Sequence, residues 1–299
     1  MQGFMLEEFL FEGDYITGMT TWVGTYEENV YTSHILEYEL FEEYEKYKKA
    51  KKRNNINCID SKCLKYRNEI HKDLDKKTVL TTGINRASLL GVQLLIVFLD
   101  KDTHQYQVLV IKRSDDVAAK PGFYQFVPSG GFEVFENSEE HNQRELEENY
   151  NVRWAIYREY IEELISGNNA DYEYGHGGET LAKIKNGAAV QELERYIDEE
   201  KAQFVFLGSV IDLCGLRNEL SFVIKIDDVN YSNKIFQSNS ESKKINRIPI
   251  SDIDHAIEAS KINPSSAALW HLFKESDLYK ECMRDNQASL DYSQAPSKK

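Results

Sequence analysis

Three things are scarce in this 299-residue chain: basic charge, cysteine and long apolar runs. Lys and Arg number 36 against 50 Asp and Glu, a formal net charge of -14. A dedicated nucleic-acid coat or a binder of anionic membranes needs the opposite excess, so neither nucleic acid nor a membrane is expected as a partner. A polyphosphate ligand stays compatible with that balance, because carboxylates hold such ligands through a divalent cation. Cys58, Cys63, Cys214 and Cys282 form no disulfide-scaffold pattern. Cys58 and Cys63, even with His71, fall short of the four ligands of a structural zinc site. The longest apolar run, Leu89 to Leu99, is interrupted by Gly91 and Gln93 and is too short to span a bilayer as a helix. The opening MQGFMLEEFLFEGDY has no basic patch ahead of an apolar stretch. These features lead us to expect a reduced, cytoplasmic protein.

What is present suffices for a core: 41% of residues are hydrophobic and 12% aromatic. Residues 1–33 mix aromatic and β-branched residues with Gly3, Gly13, Gly18 and Gly24, which suits short strands and turns. Ser33 to Arg53 predicts a long helix with Ser33 as N-cap and a broad apolar side of Ile35, Leu36, Tyr38, Leu40, Phe41 and Tyr44. Acid precedes base along it, as the helix macrodipole favours. The basic run Lys46 to Arg53 reads as a solvated helix end balanced by Glu42, Glu43 and Glu45. Leu89 to Leu99 and Gln105 to Ile111 read as a β-hairpin around Asp100 to His104. Val152 to Ile165 reads as a helix, Ala202 to Leu207 and Leu220 to Ile226 as strands, and Pro264 to Phe273 as a helix. Gly167 to Thr180 and Asp227 to Lys244 look loop-like. The expected organisation is an N-terminal extension over 1–80, a main domain over 82–275 and a flexible tail over 285–299.

The informative stretch is Phe126-Val-Pro-Ser-Gly-Gly-Phe-Glu133, followed by Arg158-Glu-Tyr-Ile-Glu-Glu-Leu164. On a helix Glu159, Glu162 and Glu163 share one face, where like charges repel by a few tenths of a kcal/mol per pair. A divalent cation between them reverses that sign, and oxygen-only ligands favour Mg²⁺ or Mn²⁺. The plainer reading is a solvated acidic helix face. No G-x-S-x-G, G-x-x-x-x-G-K-[ST], H-E-x-x-H or EF-hand pattern occurs.

Together these residues resemble the Nudix superfamily, whose signature sets a Gly-Gly turn and a Glu before a helix carrying Arg-Glu-apolar-x-Glu-Glu. The resemblance covers about Thr82 to Leu272 and looks like a branch with an enlarged loop inside the signature. It implies an α/β/α sandwich with a mixed sheet, to which this chain adds an N-terminal extension of short strands and a long helix. Two registers compete. Without a gap, Gly130, Glu136, Arg144, Glu145, Leu146, Glu148 and Val152 match, but Asn149 replaces an acid and Asn151 the closing Gly. With fourteen residues inserted, Arg158, Glu159, Tyr160, Glu162 and Glu163 match, and Ile165 stands where the closing Gly belongs. Ser138 to Asn149 offers Leu146 as its only large apolar residue, whereas the later stretch offers Val152, Ala155, Ile156, Ile161, Leu164 and Ile165, so the inserted register is preferred. About Asn137 to Asn151 is then an exposed insertion.

By this resemblance Glu162 and Glu163 are the principal metal ligands, Glu159 completes the site and Arg158 braces it. Gly130 and Gly131 bring backbone amides near phosphates, and Arg113 is a candidate phosphate contact. Glu133 and Glu136 are candidates to extend the metal shell, Glu219 is the candidate general base, and Gly175 to Gly178 with His176 is a candidate lid. The implied activity is metal-dependent cleavage of a pyrophosphate bond in a nucleoside diphosphate derivative. The alternative is a weak or inactive Nudix-fold sensor that binds a nucleotide-derived small molecule in a regulatory role. A homodimer is compatible with either.

Overall fold

A computed structural model describes residues 1–54, 59–114, 122–135, 143–165, 181–237 and 242–294. The chain divides into two compact units. The first comprises Met1–Gly91, Gly131–Asn137 and Ile211–Glu219, the second Val92–Gly130, Ser138–Val210 and Leu220–Lys299.

In the first unit, β1 (Gln2–Glu12) and β2 (Tyr15–Thr25) pair antiparallel from Gln2↔Thr25 to Glu12↔Tyr15. The expected short strands are therefore two long ones. Gly13, with φ of 62°, makes the tight turn between them, while Gly3, Gly18 and Gly24 lie inside the ladder. Thr25 caps the helix beyond β2. Its hydroxyl accepts the Glu28 N–H at 3.2 Å, and the Glu28 carboxylate accepts the Thr25 N–H at 2.7 Å. That helix passes through a π-turn at Val30–His34 into α1 (Ile35–Asn54). Ser33 is consequently not the N-cap expected from the sequence. It is buried inside the π-turn, and its hydroxyl donates to the Ala87 carbonyl at 2.8 Å. The basic end of α1 behaves as read: Lys46 pairs with Glu43 and Lys48 with Glu45, each at 2.6 Å.

The second unit holds most of a mixed seven-stranded sheet, the ends of some strands being counted to the first. Its strands are β3 (Gly91–Leu99), β4 (Tyr106–Arg113), β5 (Tyr124–Phe126), β6 (Ser129–Gly131), β7 (Ala202–Asp212), β8 (Arg217–Ile226) and β9 (Ser242–Pro249). The order is β5-β4-β3-β8-β7, with β6 on β3 and β9 on β4. The expected hairpin is β3–β4, antiparallel through Val97↔Val108 and Leu99↔Tyr106. Its helices are α2 (Gln143–Asn149), α3 (Val152–Leu164), α4 (Ala188–Asp198), α5 (Pro264–Glu275) and α6 (Asp277–Gln294), beside several shorter ones.

β3 reads as one apolar run because both of its faces are covered. Leu95 and Val97 join Val108, Phe126 and Val223 under Leu269, Trp270 and Phe273 of α5 and Cys282 of α6. Phe98, on the opposite face, packs against Tyr231 at 5.6 Å, and the Tyr160 hydroxyl of α3 lies 3.3 Å from that of Tyr231. Helices on both faces make the α/β/α sandwich. Two local expectations need correction. Asp227 to Lys244 is not all loop, since it holds a 3-10 helix at Val229–Asn233 and the start of β9. The polar tail from residue 285 is helical through Gln294, because buried Asn286 accepts the Tyr106 N–H at 2.8 Å and ties the helix down. Among the described residues no helix is long and apolar enough to cross a membrane.

His71 reports on the packing of the first unit. Arg86 donates to the Thr82 carbonyl at 2.7 Å, and Arg67 to the carbonyls of Leu36 and Cys214. Burial, then the charges of Arg86 and Arg67, push the His71 imidazole from 6.5 down to about 4. The unfolded chain takes up this proton below 6.5, whereas the folded chain does so only near 4, so stability falls as pH drops through that window. We expect the urea midpoint of the wild type to fall between about pH 7 and pH 5 by more than that of His71→Gln. Equal losses in the two proteins would assign the slope to other groups.

Candidate active site

The geometry of the candidate site begins with how α3 is held. Asn151 caps it by accepting the Arg153 N–H at 3.0 Å. Ala155, Ile156, Tyr157, Tyr160 and Leu164 are fully buried. The Tyr157 hydroxyl donates to Glu194 of α4, which Arg153 also approaches at 3.4 Å. Burial and the Glu194 carboxylate push the Tyr157 phenol well above its ordinary range, so it stays a donor at all working pH. These contacts set the depth and rotation of the helix.

With that rotation fixed, the acids face β6. The Ser129 N–H donates to Glu163 Oε2 at 2.9 Å. Arg158 Nη2 donates to Glu159 Oε1 at 2.5 Å, and Arg158 Nε lies 3.6 Å from Glu162 Oε1. Arg158, Glu159 and Glu163 are 7%, 3% and 9% exposed, so this is no solvated acidic face. Charges this deep require pairing or hydrogen bonding, and removing one partner of such a set costs about 3–5 kcal/mol.

Gly130 is where helix and strand meet. A Cβ at residue 130 would fall inside the Glu159 carboxylate. The glycine pair lies in β6 and not in the tight turn expected from the sequence, so the requirement at Gly130 is close approach and not an unusual backbone angle. Gly131 belongs to the first unit, where Glu133 occupies the space a side chain would need. Arg113, at the end of β4, donates to Gln125 Oε1 at 2.9 Å, and buried Gln125 in turn donates to the Ser129 hydroxyl. Arg113 is thereby joined through Gln125 to the residue whose amide holds Glu163.

Of the other expected site residues, some lie on α2 or in the first unit, and the rest lie outside the described residues. Arg144, Glu145 and Glu148 lie on α2, exposed, with Arg144 pairing to Glu148 at 3.0 Å. Leu146 is half-buried, as the composition of that segment implies. Glu219 is the third residue of β8, which begins three residues before the expected Leu220, and belongs to the first unit, where Arg217 approaches it at 3.2 Å. Glu136, residues 137–142 of the expected insertion, and Gly175 to Gly178 with His176 lie outside the described residues. Sequence reasoning missed Gln125 and Ser129. Neither belongs to a charged pattern, and only the strand pairing of β4 with β5 brings Gln125 within reach of Arg113.

Three carboxylates are hard oxygen donors of the kind Mg²⁺ and Mn²⁺ take, and the missing Cβ at residue 130 admits one of them beside β6. By donor chemistry the set fits a divalent cation. As the side chains stand, no three His, Cys, Asp or Glu among the described residues are placed to hold a metal. Glu159 and Glu162 are turned to Arg158, and Glu163 to the Ser129 amide.

No protein-family model matches the chain, and no curated protein does. Solved structures do match. A Nudix hydrolase from M. smegmatis, RenU, aligns over 63% of this chain and 84% of its own at 13% identity and a TM-score of 0.34. The NUDIX domain of Shewanella oneidensis NrtR, complexed with ADP ribose, aligns over 69% and 96% at 13% identity and 0.37. A NUDIX hydrolase from Alicyclobacillus acidocaldarius aligns over 62% and 90% at 13% and 0.35. All three bear the name of the family that the residue pattern resembles. Likeness at these scores carries no functional weight, so a functional reading has to stand on the chain's own residues.

The geometry makes Gly130 the sensitive position. Gly130→Ala should displace Glu159 and cost on the order of 1–3 kcal/mol by overpacking, read as a lowered urea midpoint. An unchanged midpoint would mean that the carboxylate is not seated there. Glu145→Gln with Glu148→Gln should leave both stability and Mn²⁺ affinity within error, since those side chains lie in water. A sharp loss of metal affinity in that double variant would move the site to α2.

Proposed function

We propose that the chain is a Nudix-type hydrolase that cleaves a pyrophosphate bond in a nucleoside diphosphate derivative, with Mg²⁺ or Mn²⁺ held by Glu159, Glu162 and Glu163. One observation carries this reading: three acids and an arginine are drawn together on α3 against β6, two of the acids nearly inaccessible to water. Acidic helix faces ordinarily remain solvated, and a chain that buries one has a use for the charge. When bound, the cation would neutralise phosphate oxygens and lower the pKa of a water. The chain's own part is positioning. Arg158 keeps Glu159 and Glu162 at a set separation, the Ser129 amide orients Glu163, and Arg113 steadies Ser129 through Gln125. Gly130, by lacking a side chain, lets the Glu159 carboxylate sit beside β6.

The second reading is a sensor that binds a nucleotide-derived ligand without turnover. The hold of Arg158 on Glu159 and Glu162 favours it, because an arginine already satisfies charges that a metal would otherwise neutralise. One experiment separates the two. The chain is incubated with dinucleotides, sugar nucleotides and nucleoside triphosphates, with and without Mg²⁺ or Mn²⁺, and both thermal shift and product are measured. For the hydrolase, product should form only with metal, and Glu162→Gln or Glu163→Gln should lower the rate by roughly 10²-fold or more, beyond the 10–100-fold typical of losing an outer-shell partner. Full activity in excess chelator would sink the metal assignment. A large shift with every binding ligand and no product from any would select the sensor.

A further inference from the structure

The helix that runs from Tyr26 into α1 leaves Tyr31, Tyr38, Phe41 and Tyr44 exposed by 64%, 61%, 59% and 46%. A groove of about 830 Å³ runs beside them, with Ile35, Leu40 and Ile59 in its lining. Isolated apolar side chains on a surface are ordinary, but four aromatic ones along one helix form a patch. At about 150–250 Å² per aromatic side chain, they leave roughly 350–550 Å² of ring surface in water per copy.

Charge selects what covers it. From Glu37 to Glu45 the helix carries five acids and no base, and from Lys46 to Arg53 six bases and no acid. A second copy laid antiparallel sets the acidic half of one helix against the basic half of the other, whereas a parallel one sets like against like. We propose that this face is the self-association surface of the chain, with two copies pairing α1 antiparallel about a two-fold axis at the Glu45–Lys46 boundary. In that register Glu42 of one copy stands opposite Lys49 of the other, and both side chains are exposed. Tyr38 and Phe41 of each copy then lie along the lysine-rich half of the other, where aliphatic stems cover rings while the ammonium groups stay wet. Tyr31 lies beyond the reach of the partner helix in this register, and Tyr38, Phe41 and Tyr44 of two copies contribute about 500–800 Å² of aromatic surface, which the lysine stems extend toward the ~1,000 Å² that marks a specific interface. A nucleic-acid strand would suit only the basic half and would be repelled by the acidic half.

The test uses the full chain in sedimentation equilibrium. The wild type should dimerise, and more weakly as salt is raised, because the paired charges are exposed and screened. Glu37→Lys with Glu42→Lys makes the helix predominantly basic, and Lys49→Glu with Lys51→Glu makes it predominantly acidic. Each double variant alone should be monomeric, with an unchanged circular dichroism spectrum because all four side chains are exposed. An equimolar mixture of the two should recover a dimer. Tyr38→Ser with Phe41→Ser should be monomeric and folded. A wild type that stays monomeric at roughly 100 μM, a concentration that would detect even a weak complex, overturns the proposal. So do charge variants that each remain dimeric, or folded ones that fail to pair when mixed.

Discussion

A carboxylate can lie against the backbone of β6 only because residue 130 has no side chain. Much of the second unit depends on that close approach. It brings α3 near enough to the sheet for the Ser129 amide to reach Glu163, and it removes Glu159 from water. A buried carboxylate demands compensation, and Arg158 supplies it from the same helix, one residue away in sequence. The polar cluster is thus centred on one helix and one strand, with Gln125 and Arg113 joined to it through Ser129. Its cost is borne by the apolar contacts on the rest of α3, where Tyr157, Tyr160 and Leu164 are wholly buried.

This arrangement explains why α3 is buried nearly all round and carries no single apolar stripe. One side meets the tyrosine cluster around Tyr231 and α4, and another presents acids to β6. A helix with such a dual duty cannot rotate without exposing tyrosine or stranding a carboxylate. That is the preorganisation a binding or catalytic constellation needs, and it does not depend on a ligand being present. α2 is its counterexample. Its Glu148 pairs with Arg144 at the surface, and of its residues Asn149 is buried and Leu146 half-buried.

The first unit solves a different problem with different means. Its hairpin is fixed by a long ladder, its helix by a capping box and by the Ser33 contact to Ala87, and its arginines by backbone carbonyls. The helix that emerges still shows water a row of rings flanked by segregated charge, a surface suited to meeting its own reversed image.

Periodicity and composition alone were enough for the β3–β4 hairpin and α5, which rest on local apolar spacing, and for the choice of α3 over α2 as the buried helix, which rests on apolar content. The three acids of α3 were also legible, since i, i+3 and i+4 share a face on any helix. Tertiary structure decided the rest. Ser33 reads as an N-cap in isolation, yet Thr25 starts the helix once β2 delivers the chain there, and Ser33 finds the Ala87 carbonyl instead. Gly130 and Gly131 read as a turn, yet they lie in a strand, and the need for glycine at 130 comes from a carboxylate twenty-nine residues away. Gln125 carries no signal at all until β5 pairs with β4. Local spacing reports which face of an element is apolar. It says nothing of which backbone a side chain will press against, because that distance is set by chain segments far apart in the sequence.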